Sequence, residues 1–165
     1  MRPANFAPIA DDGSVFGACR PGHLGADVDE WAEILSSAGV SDVVCLLSES
    51  EAARWMLPRR YDDVFGTYHV PIRDRHLPEP DRLARAVGVI EETTTNGGRV
   101  ALHCNAGQGR TGVVAAAWVA SAHDCAPRTA VETVEAAGRS PREAIRADNA
   151  TEQDLYDLLE RVRQF

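Results

Sequence analysis

Short apolar runs alternate with longer segments of mixed polarity over the first two thirds of the chain. Three runs are short, rich in β-branched or aliphatic residues and flanked by turn residues, which predicts buried strands. They cover residues 41–47 (SDVVCLL), 66–72 (GTYHVPI) and 99–103 (RVALH), and a weaker run covers 14–19. The pattern therefore predicts a central sheet.

Apolar residues recur with a spacing near 3.6 in the intervening segments and throughout the C-terminal part, which predicts helices. These segments are 27–38, 81–94, 111–122, 127–137 and a last one from 147 or 149 to 163. Gly39 is suited to end the first helix, and Pro127 is suited to the first turn of the fourth. Trp31, Trp55 and Trp118 have apolar neighbours at helical spacing, so we expect them in the core.

Alternating strands and helices followed by helices alone predict an α/β fold. We expect a central, mostly parallel sheet flanked by helices on both faces, with a helical C-terminal third. No internal repeat or linker interrupts residues 1–165, so the chain is interpreted as a single domain. Residues 73–80 (RDRHLPEP) hold two prolines and four charged residues, which predicts an irregular loop of the kind that carries functional groups.

The composition is that of a globular protein large enough to bury its own core. No apolar run approaches the roughly 20 residues of a membrane-spanning helix, and no secretory signal is visible at the start. We therefore expect a cytoplasmic protein without a membrane partner. We expect a monomer.

The charge is strongly acidic, with 25 acidic and 17 basic residues and a net charge of -8. All of the basic residues are Arg. An acidic surface argues against nucleic acid as a partner. Loss of Lys with an excess of acid is similar to proteins of salt-loving, GC-rich organisms, although codon bias alone also explains the missing Lys.

Four cysteines are spaced too widely to form any C-x-x-C pair, so the sequence contains no zinc or thioredoxin-like pattern. In a cytoplasmic chain they are expected to be reduced thiols. We expect neither a metal nor a cofactor.

The segment from His103 to Gly112, HCNAGQGRTG, lies directly between the third strong strand and an apolar helix. A glycine-rich loop that enters a helix is an anion-binding arrangement, because its N–H groups and the helix dipole point at the ligand. Such a loop predicts phosphate binding by the backbone of Asn105, Ala106, Gly107, Gln108 and Gly109. Arg110 can grip two phosphate oxygens with its planar guanidinium.

Cys104 opens this loop, and the same positive surroundings favour a thiolate over a thiol. A thiolate beneath a bound phosphate is placed to attack phosphorus and form a cysteinyl phosphate. Thr111 carries a hydroxyl that can stabilise the thiolate when it leaves. His103 is interpreted as a residue that fixes the loop through backbone contacts rather than as a proton-transfer base.

HCNAGQGRTG resembles the H-C-x5-R-[S/T] signature of the cysteine-dependent protein tyrosine and dual-specificity phosphatase superfamily. FGACRPG, SDVVCLLSESE, YHVPIRD and TEQDLYDLLERV resemble the compact dual-specificity group, including kinase inhibitor-associated phosphatases and small archaeal relatives. The resemblance implies that Asp74, which follows YHVPIR, is the general acid. Arg73-Asp74-Arg75-His76 departs from the Pro-Asp-Gly-Gly of many relatives, and Asp81 is the alternative acid, although it also suits a helix N-cap.

Two further residues acquire a role only through this resemblance. Gln153 in TEQDL is similar to a late glutamine that orients the hydrolytic water in some relatives; a solvated helix residue explains it equally well. Cys45 is most simply a buried core thiol. In some relatives a cysteine on a neighbouring strand forms a reversible disulfide with the nucleophile, and Cys45 is the residue here that would do so.

The sequence thus indicates an enzyme that removes phosphate from phosphotyrosine in a phosphorylated protein, and we leave phosphoserine and phosphothreonine open as further substrates. Two alternatives remain: an inositol phosphate or phosphoinositide phosphatase, and a phosphate-binding pseudophosphatase. Neutral Asn105 and Gln108 in the loop argue against a polyanionic lipid substrate. Intact Cys104, Arg110 and Asp74 argue against a pseudophosphatase.

Overall fold

The computed structural model describes residues 3–10 and 12–164. Within them, five strands form one sheet in the order β1-β2-β5-β3-β4. The strands are β1 Ala7–Pro8, β2 Val15–Ala18, β3 Asp42–Cys45, β4 Gly66–His69 and β5 Val100–His103. Only β1 pairs antiparallel, and the other pairs are parallel, with His103 of β5 opposite both Ala18 and Cys45. The C-terminal ends of three strands therefore meet where β5 ends.

Seven α-helices complete the described part of the chain. They are α1 Val28–Ser37, α2 Glu49–Trp55, α3 Pro80–Thr95, α4 Gly109–Ala122, α5 Pro127–Ala136, α6 Glu143–Arg146 and α7 Glu152–Arg163. Short 3-10 helices lie at Pro3–Asn5 and Arg59–Tyr61. No helix among the described residues is both long and apolar enough to cross a membrane.

Alternate residues of the central strands pack into two apolar clusters, one on each face of the sheet. Val44, Leu46 and Leu102 belong to the cluster that contains the apolar faces of α3, α4, α5 and α7. Val43 and Cys45 belong to the other cluster, which is centred on Trp31 of α1. This arrangement confirms the predicted α/β fold, with helices on both faces and a helical C-terminal third.

Helix α4 is the most buried helix of the described chain, since every residue from Gly109 to Ala120 is buried. Full burial of one aliphatic side chain contributes about 1.5–3 kcal/mol, so this apolar helix is firmly held between the sheet and its helical neighbours. Its first turn is consequently a rigid support for the loop that precedes it.

The strands and helices differ from the sequence prediction mainly at their ends and in the short elements. The predicted strands at 41–47 and 66–72 end at Cys45 and His69, although single backbone bonds continue from Leu46 N to His103 O (2.8 Å) and from Ile72 N to Leu46 O (3.3 Å). Helix α7 begins at Glu152, later than predicted, because Thr151 and Asp154 form a capping box. Asp81 is not the N-cap of α3; Glu79 takes that position and Pro80 is the first helical residue.

The short elements β1, α2 and α6 were not predicted. Helix α2 buries only Ala52, so it has too little apolar periodicity to be recognised. Trp55, at its end, is half-buried, and the prediction that it lies in the core is therefore wrong. Trp31 and Trp118 lie in the core as predicted.

Candidate active site

The loop from Cys104 to Gln108 connects the central strand β5 to the buried helix α4. It lies at the C-terminal edge of the parallel strands, where open α/β sheets commonly bind ligands. The helix N-terminus directs positive potential into the same place. The position of the loop and the positive potential of the α4 N-terminus both favour binding of a small anion.

Four successive loop carbonyls accept hydrogen bonds from the protein around the loop. The donors are Arg20 N to Asn105 O (2.9 Å), Asn5 Nδ2 to Ala106 O (2.9 Å), Arg139 Nη1 to Gly107 O (2.9 Å) and Ser140 N to Gln108 O (3.1 Å). Within residues 3–10 and 12–164, the N–H groups of residues 105–110 donate to no carbonyl or side chain. With the carbonyls bonded outward, these N–H groups are available to a tetrahedral oxyanion.

One loop glycine is required by close backbone approach. Gly107 has φ +78°, and a Cβ there would overlap the carbonyl oxygen of Ala18 in β2. At Gly109, the first residue of α4, a Cβ would meet only the side chain of Glu143, at 2.7 Å from its carboxyl carbon, so backbone approach requires glycine at Gly107 alone. Any side chain at Gly107 would push the loop away from its outer supports.

Cys104 is 3% exposed, so its thiol is almost completely covered. The Thr111 hydroxyl, in the first turn of α4, donates to this sulfur at 3.3 Å. That contact places a donor on the sulfur from the helix side.

His103 is completely buried directly before the cysteine, between a carbonyl and a phenol. Its Nδ1 lies 3.0 Å from Cys104 O, and its Nε2 lies 2.6 Å from the Tyr61 hydroxyl. A carbonyl only accepts, so Nδ1 carries the proton and Nε2 accepts from Tyr61. Burial lowers the pKa of His103 to about 4, with smaller contributions from the charges of Arg110 and Arg20, so the ring is neutral. The structure thus places His103 in contact with the backbone of the loop.

Arg110 is 3% exposed and is held on the side away from the loop by a carboxylate that sequence reasoning did not identify. Its Nη1 donates to Glu51 Oε1 at 2.6 Å and to Ile72 O at 3.0 Å, and its Nη2 donates to Glu51 Oε2 at 3.1 Å. The two-point contact with Glu51 fixes the plane of the guanidinium.

The electrostatics of Glu51 agree with this contact. Burial is the largest single influence and raises the pKa of Glu51, but hydrogen bonds from Arg110 and Ser48 outweigh it. Together they lower the pKa from 4.5 to about 2. Ser48 also forms a capping box with Glu51 at the start of α2, so the carboxylate is held at both ends.

Asp74 also lies beside Arg110, with its Oδ1 3.2 Å from Nη2. Its side chain is 48% exposed, and the turn that carries it is held by a bond from Asn149 Nδ2 to Arg75 O at 2.8 Å. Asp81, the alternative acid, is exposed in the first turn of α3. The structure therefore brings Asp74, and not Asp81, to the guanidinium.

The two residues assigned a role by resemblance alone make no side-chain hydrogen bond to the loop among the described residues. Gln153 is exposed on α7 and donates to Asp157 Oδ1 at 2.8 Å, as the solvated interpretation implies. Cys45 belongs to the apolar cluster around Trp31, whereas Cys104 belongs to the cluster on the opposite face of the sheet. All four cysteines are free thiols.

The residues around the loop that sequence reasoning missed include Glu51, Tyr61, Arg20 and Arg139. Glu51 was detectable in principle, because Ser48-Glu-Ser-Glu51 after a buried strand is a capping-box pattern that places a carboxylate at the sheet edge. The other three are distant from the loop in sequence and carry no local signal. Among the described residues, no group of three His, Cys, Asp or Glu side chains is placed to hold a metal ion.

One protein family matches the chain by its sequence model. Its description is "Polymorphic toxin system, DSP-PTPase phosphatase", and the match covers residues 16–123, which include the strand, the loop and α4. A curated relative, the uncharacterized protein MJECL20 of Methanocaldococcus jannaschii, is 31% identical over 99 residues. That alignment covers 54% of this chain and 67% of the relative.

Solved structures of phosphatases are similar over nearly the whole chain. Tk-PTP in the active form has a TM-score of 0.72 at 23% identity and covers 99% of both chains. PTPMT1 in complex with PI(5)P has a TM-score of 0.73 at 14% identity, covering 97% of this chain and 95% of that one. A mouse putative dual specificity phosphatase with zinc tungstate has a TM-score of 0.67 at 19% identity, covering 99% and 89%. At these identities the likeness shows the fold.

Proposed function

Because the chain belongs to the polymorphic toxin system DSP-PTPase phosphatase family, we propose that it hydrolyses phosphotyrosine in proteins through a phosphocysteine at Cys104. The family makes it an enzyme of the protein tyrosine and dual-specificity phosphatase type. The observation that supports the mechanism most strongly is the loop itself. Its carbonyls bond outward, its N–H groups are free of protein acceptors among the described residues, and its first residue carries a buried thiol.

Phosphate binding would use the loop N–H groups and two donors of Arg110. The guanidinium has five N–H donors, of which both on Nη1 and one on Nη2 are engaged by Glu51 and Ile72. The remaining donors are Nε and the second N–H of Nη2, which faces Asp74 at 3.2 Å. A phosphate that takes both donors therefore displaces Asp74 from Arg110.

In the first chemical step, the Cys104 thiolate forms an S–P bond while the bond from phosphorus to the phenolic oxygen breaks. Asp74 in its protonated form gives its proton to the leaving oxygen. In the second step water forms a new P–O bond, Asp74 takes the water's proton, and the S–P bond breaks. Thr111 donates to the sulfur that leaves as a thiolate, as its 3.3 Å contact allows.

The burial of Cys104 supports phosphotyrosine as the preferred substrate. A sulfur on a residue only 3% exposed is reached more readily by a phosphate on a long aromatic side chain than on serine or threonine. Asn105 and Gln108 add no positive charge to the loop, which disfavours a polyphosphorylated lipid. PTPMT1 was solved with PI(5)P, but at 14% identity its likeness to this chain shows the fold and not the substrate.

Turnover of an aryl phosphate in the presence of a chelator tests the proposal. We expect Cys104→Ser to lose turnover to the uncatalysed level. Cys125→Ser is the matched control, because this half-buried thiol packs at the edge of the core, far along the chain from the loop, and hydrogen-bonds only Val119 O, at 3.9 Å, among the described residues; it should keep the wild-type rate. Equal rates for wild type and Cys104→Ser would refute the mechanism. Phosphotyrosine and phosphoserine peptides of one sequence then test the preference.

A further inference from the structure

Arg20 lies at the side of the phosphate loop and makes two bonds to the residue that follows the nucleophile. Its backbone N donates to Asn105 O at 2.9 Å, and its Nε donates to Asn105 Oδ1 at 2.7 Å. Its Nη1 donates to Pro21 O at 3.0 Å. The guanidinium is therefore attached to the rim of the loop at a fixed place.

Trp55 forms the other side of this position. The guanidinium carbon of Arg20 lies 3.7 Å from the centroid of the indole ring, a close cation-π contact. A second guanidinium, that of Arg54, lies 5.8 Å from the same ring. Stacking on an aromatic face fixes the plane of Arg20 and leaves its outer edge directed away from the ring.

Arg20 and Arg54 thus place two positive charges beside Trp55, although the protein as a whole is acidic, with a net charge of -8. Within residues 3–10 and 12–164, neither Arg20 nor Arg54 lies within ion-pair distance of a carboxylate. In the same part of the chain, Nη2 of Arg20 donates to no protein acceptor. The nearby carboxylate Glu51 is already engaged by Arg110.

We propose that Arg20 and Trp55 form a specificity subsite for an acidic side chain adjacent to the phosphotyrosine of a peptide substrate. This inference rests on the proposed function. Nη2 of Arg20 donates to the substrate carboxylate, and the exposed part of the indole packs against the peptide chain. An anionic lipid surface fits less well, because a protein of net charge -8 is repelled by such a surface.

The test uses phosphotyrosine peptides that are identical except for Glu or Gln at each neighbouring position in turn. For the best position, we expect wild-type kcat/KM to be about fivefold higher with Glu, the upper size of a solvent-exposed ion pair. In Arg20→Gln this ratio should fall to about one. Trp55→Ala should lower the ratio less, because Arg20 remains but is no longer held in plane.

The ratio of kcat/KM for the Glu peptide to that for the Gln peptide separates recognition of the substrate by Arg20 from support of the loop by Arg20. Arg20→Gln also removes the bond to Asn105, which should slow both peptides equally. Asn105→Ala removes the same bond and keeps Arg20, so it should be slow but retain the preference for Glu. Arg161→Gln, which makes the same charge change in the exposed last turn of α7, should retain both rate and preference.

Two results would overturn the subsite: a ratio of one at every position in the wild type, or an unchanged ratio in Arg20→Gln. Failure of the proposed function has a different signature, since neither peptide would then be hydrolysed faster than by Cys104→Ser. Faster hydrolysis of vesicles containing a monophosphorylated phosphoinositide than of any peptide would refute the peptide assignment.

Discussion

Replacing Glu51 with glutamine removes the negative charge that holds the phosphate-binding guanidinium of Arg110. The arginine is 3% exposed and takes two hydrogen bonds to Glu51, at 2.6 and 3.1 Å. Glutamine keeps the length of the side chain but offers one acceptor oxygen and no charge. Arg110 would then be balanced only by the half-exposed Asp74 and by the Ile72 carbonyl.

The pKa of Glu51 sets the size of the expected effect on stability. A fall from 4.5 to about 2 on folding corresponds to at most about 3 kcal/mol. Solvent contact of the carboxylate reduces this, and we expect a loss of about 2 kcal/mol in the free energy of unfolding for Glu51→Gln at pH 7. Because the guanidinium also loses its fixed plane, kcat/KM should fall about 10- to 100-fold.

The effect should depend on pH in a defined direction. A carboxyl whose pKa is depressed on folding stabilises the protein fully above its unfolded pKa, near 4.5, and loses that contribution as the pH falls toward 2. Chemical denaturation from pH 7 to 2 should therefore show the gap between wild type and Glu51→Gln closing over this window.

Glu49→Gln is the matched control, because Glu49 lies in the same turn of α2, is exposed and makes no side-chain bond to any residue of the described chain. Its stability should change by no more than about 1 kcal/mol, the usual size of a helix-terminus charge effect. The reasoning about Arg110 is refuted if Glu51→Gln matches this control in both stability and kcat/KM, or if the gap does not vary with pH.

Three further predictions concern the acid, the imidazole support and the redox chemistry. Asp74→Asn should lose most of kcat on substrates with poor leaving groups and bind vanadate at least as tightly as the wild type, since a neutral side chain competes less for the Arg110 guanidinium. Asp81→Asn should do neither, and the reverse pattern would assign the acid to Asp81. Tyr61→Phe should lower the free energy of unfolding by about 1–2 kcal/mol, because a buried imidazole nitrogen loses its donor, and unchanged denaturation would contradict the assigned tautomer. Peroxide treatment followed by peptide mapping should yield no Cys45–Cys104 disulfide, because the two side chains lie on opposite faces of the sheet; finding the link would restore Cys45 as a redox partner.

The order of the fold was predictable from the sequence because strand and helix patterns are local. The runs around Val43, Tyr68 and Ala101 are short and β-rich, and each contains an observed strand. Short elements were not predictable, since a helix such as α2, which buries only Ala52, owes its position to tertiary contacts. The late start of α7 at Glu152 depended on one capping box, whose signal is weaker than the helical periodicity that precedes it.

The loop was predictable for the same reason, because its chemistry is contained in ten consecutive residues. Its supports were not. Tyr61 reaches His103 across 42 positions, Glu51 reaches Arg110 across 59, and Arg139 reaches Gly107 across 32. These contacts depend on which strands are neighbours and which loops meet at the sheet edge, and a single sequence does not specify either. Arg20 likewise has no distinguishing signal in the sequence, whereas in the structure it lies at the rim of the loop through its bonds to Asn105.

The most direct test of the mechanism is to trap the covalent intermediate. Wild-type enzyme mixed with excess aryl phosphate and quenched in acid within the first turnovers should carry one phosphoryl group on the peptide that contains Cys104, found by mass spectrometry after digestion. Asp74→Asn, which is expected to slow the attack of water, should accumulate more of it when the leaving group is good. Turnover at the full rate with no phosphate on Cys104 in either protein would contradict the mechanism.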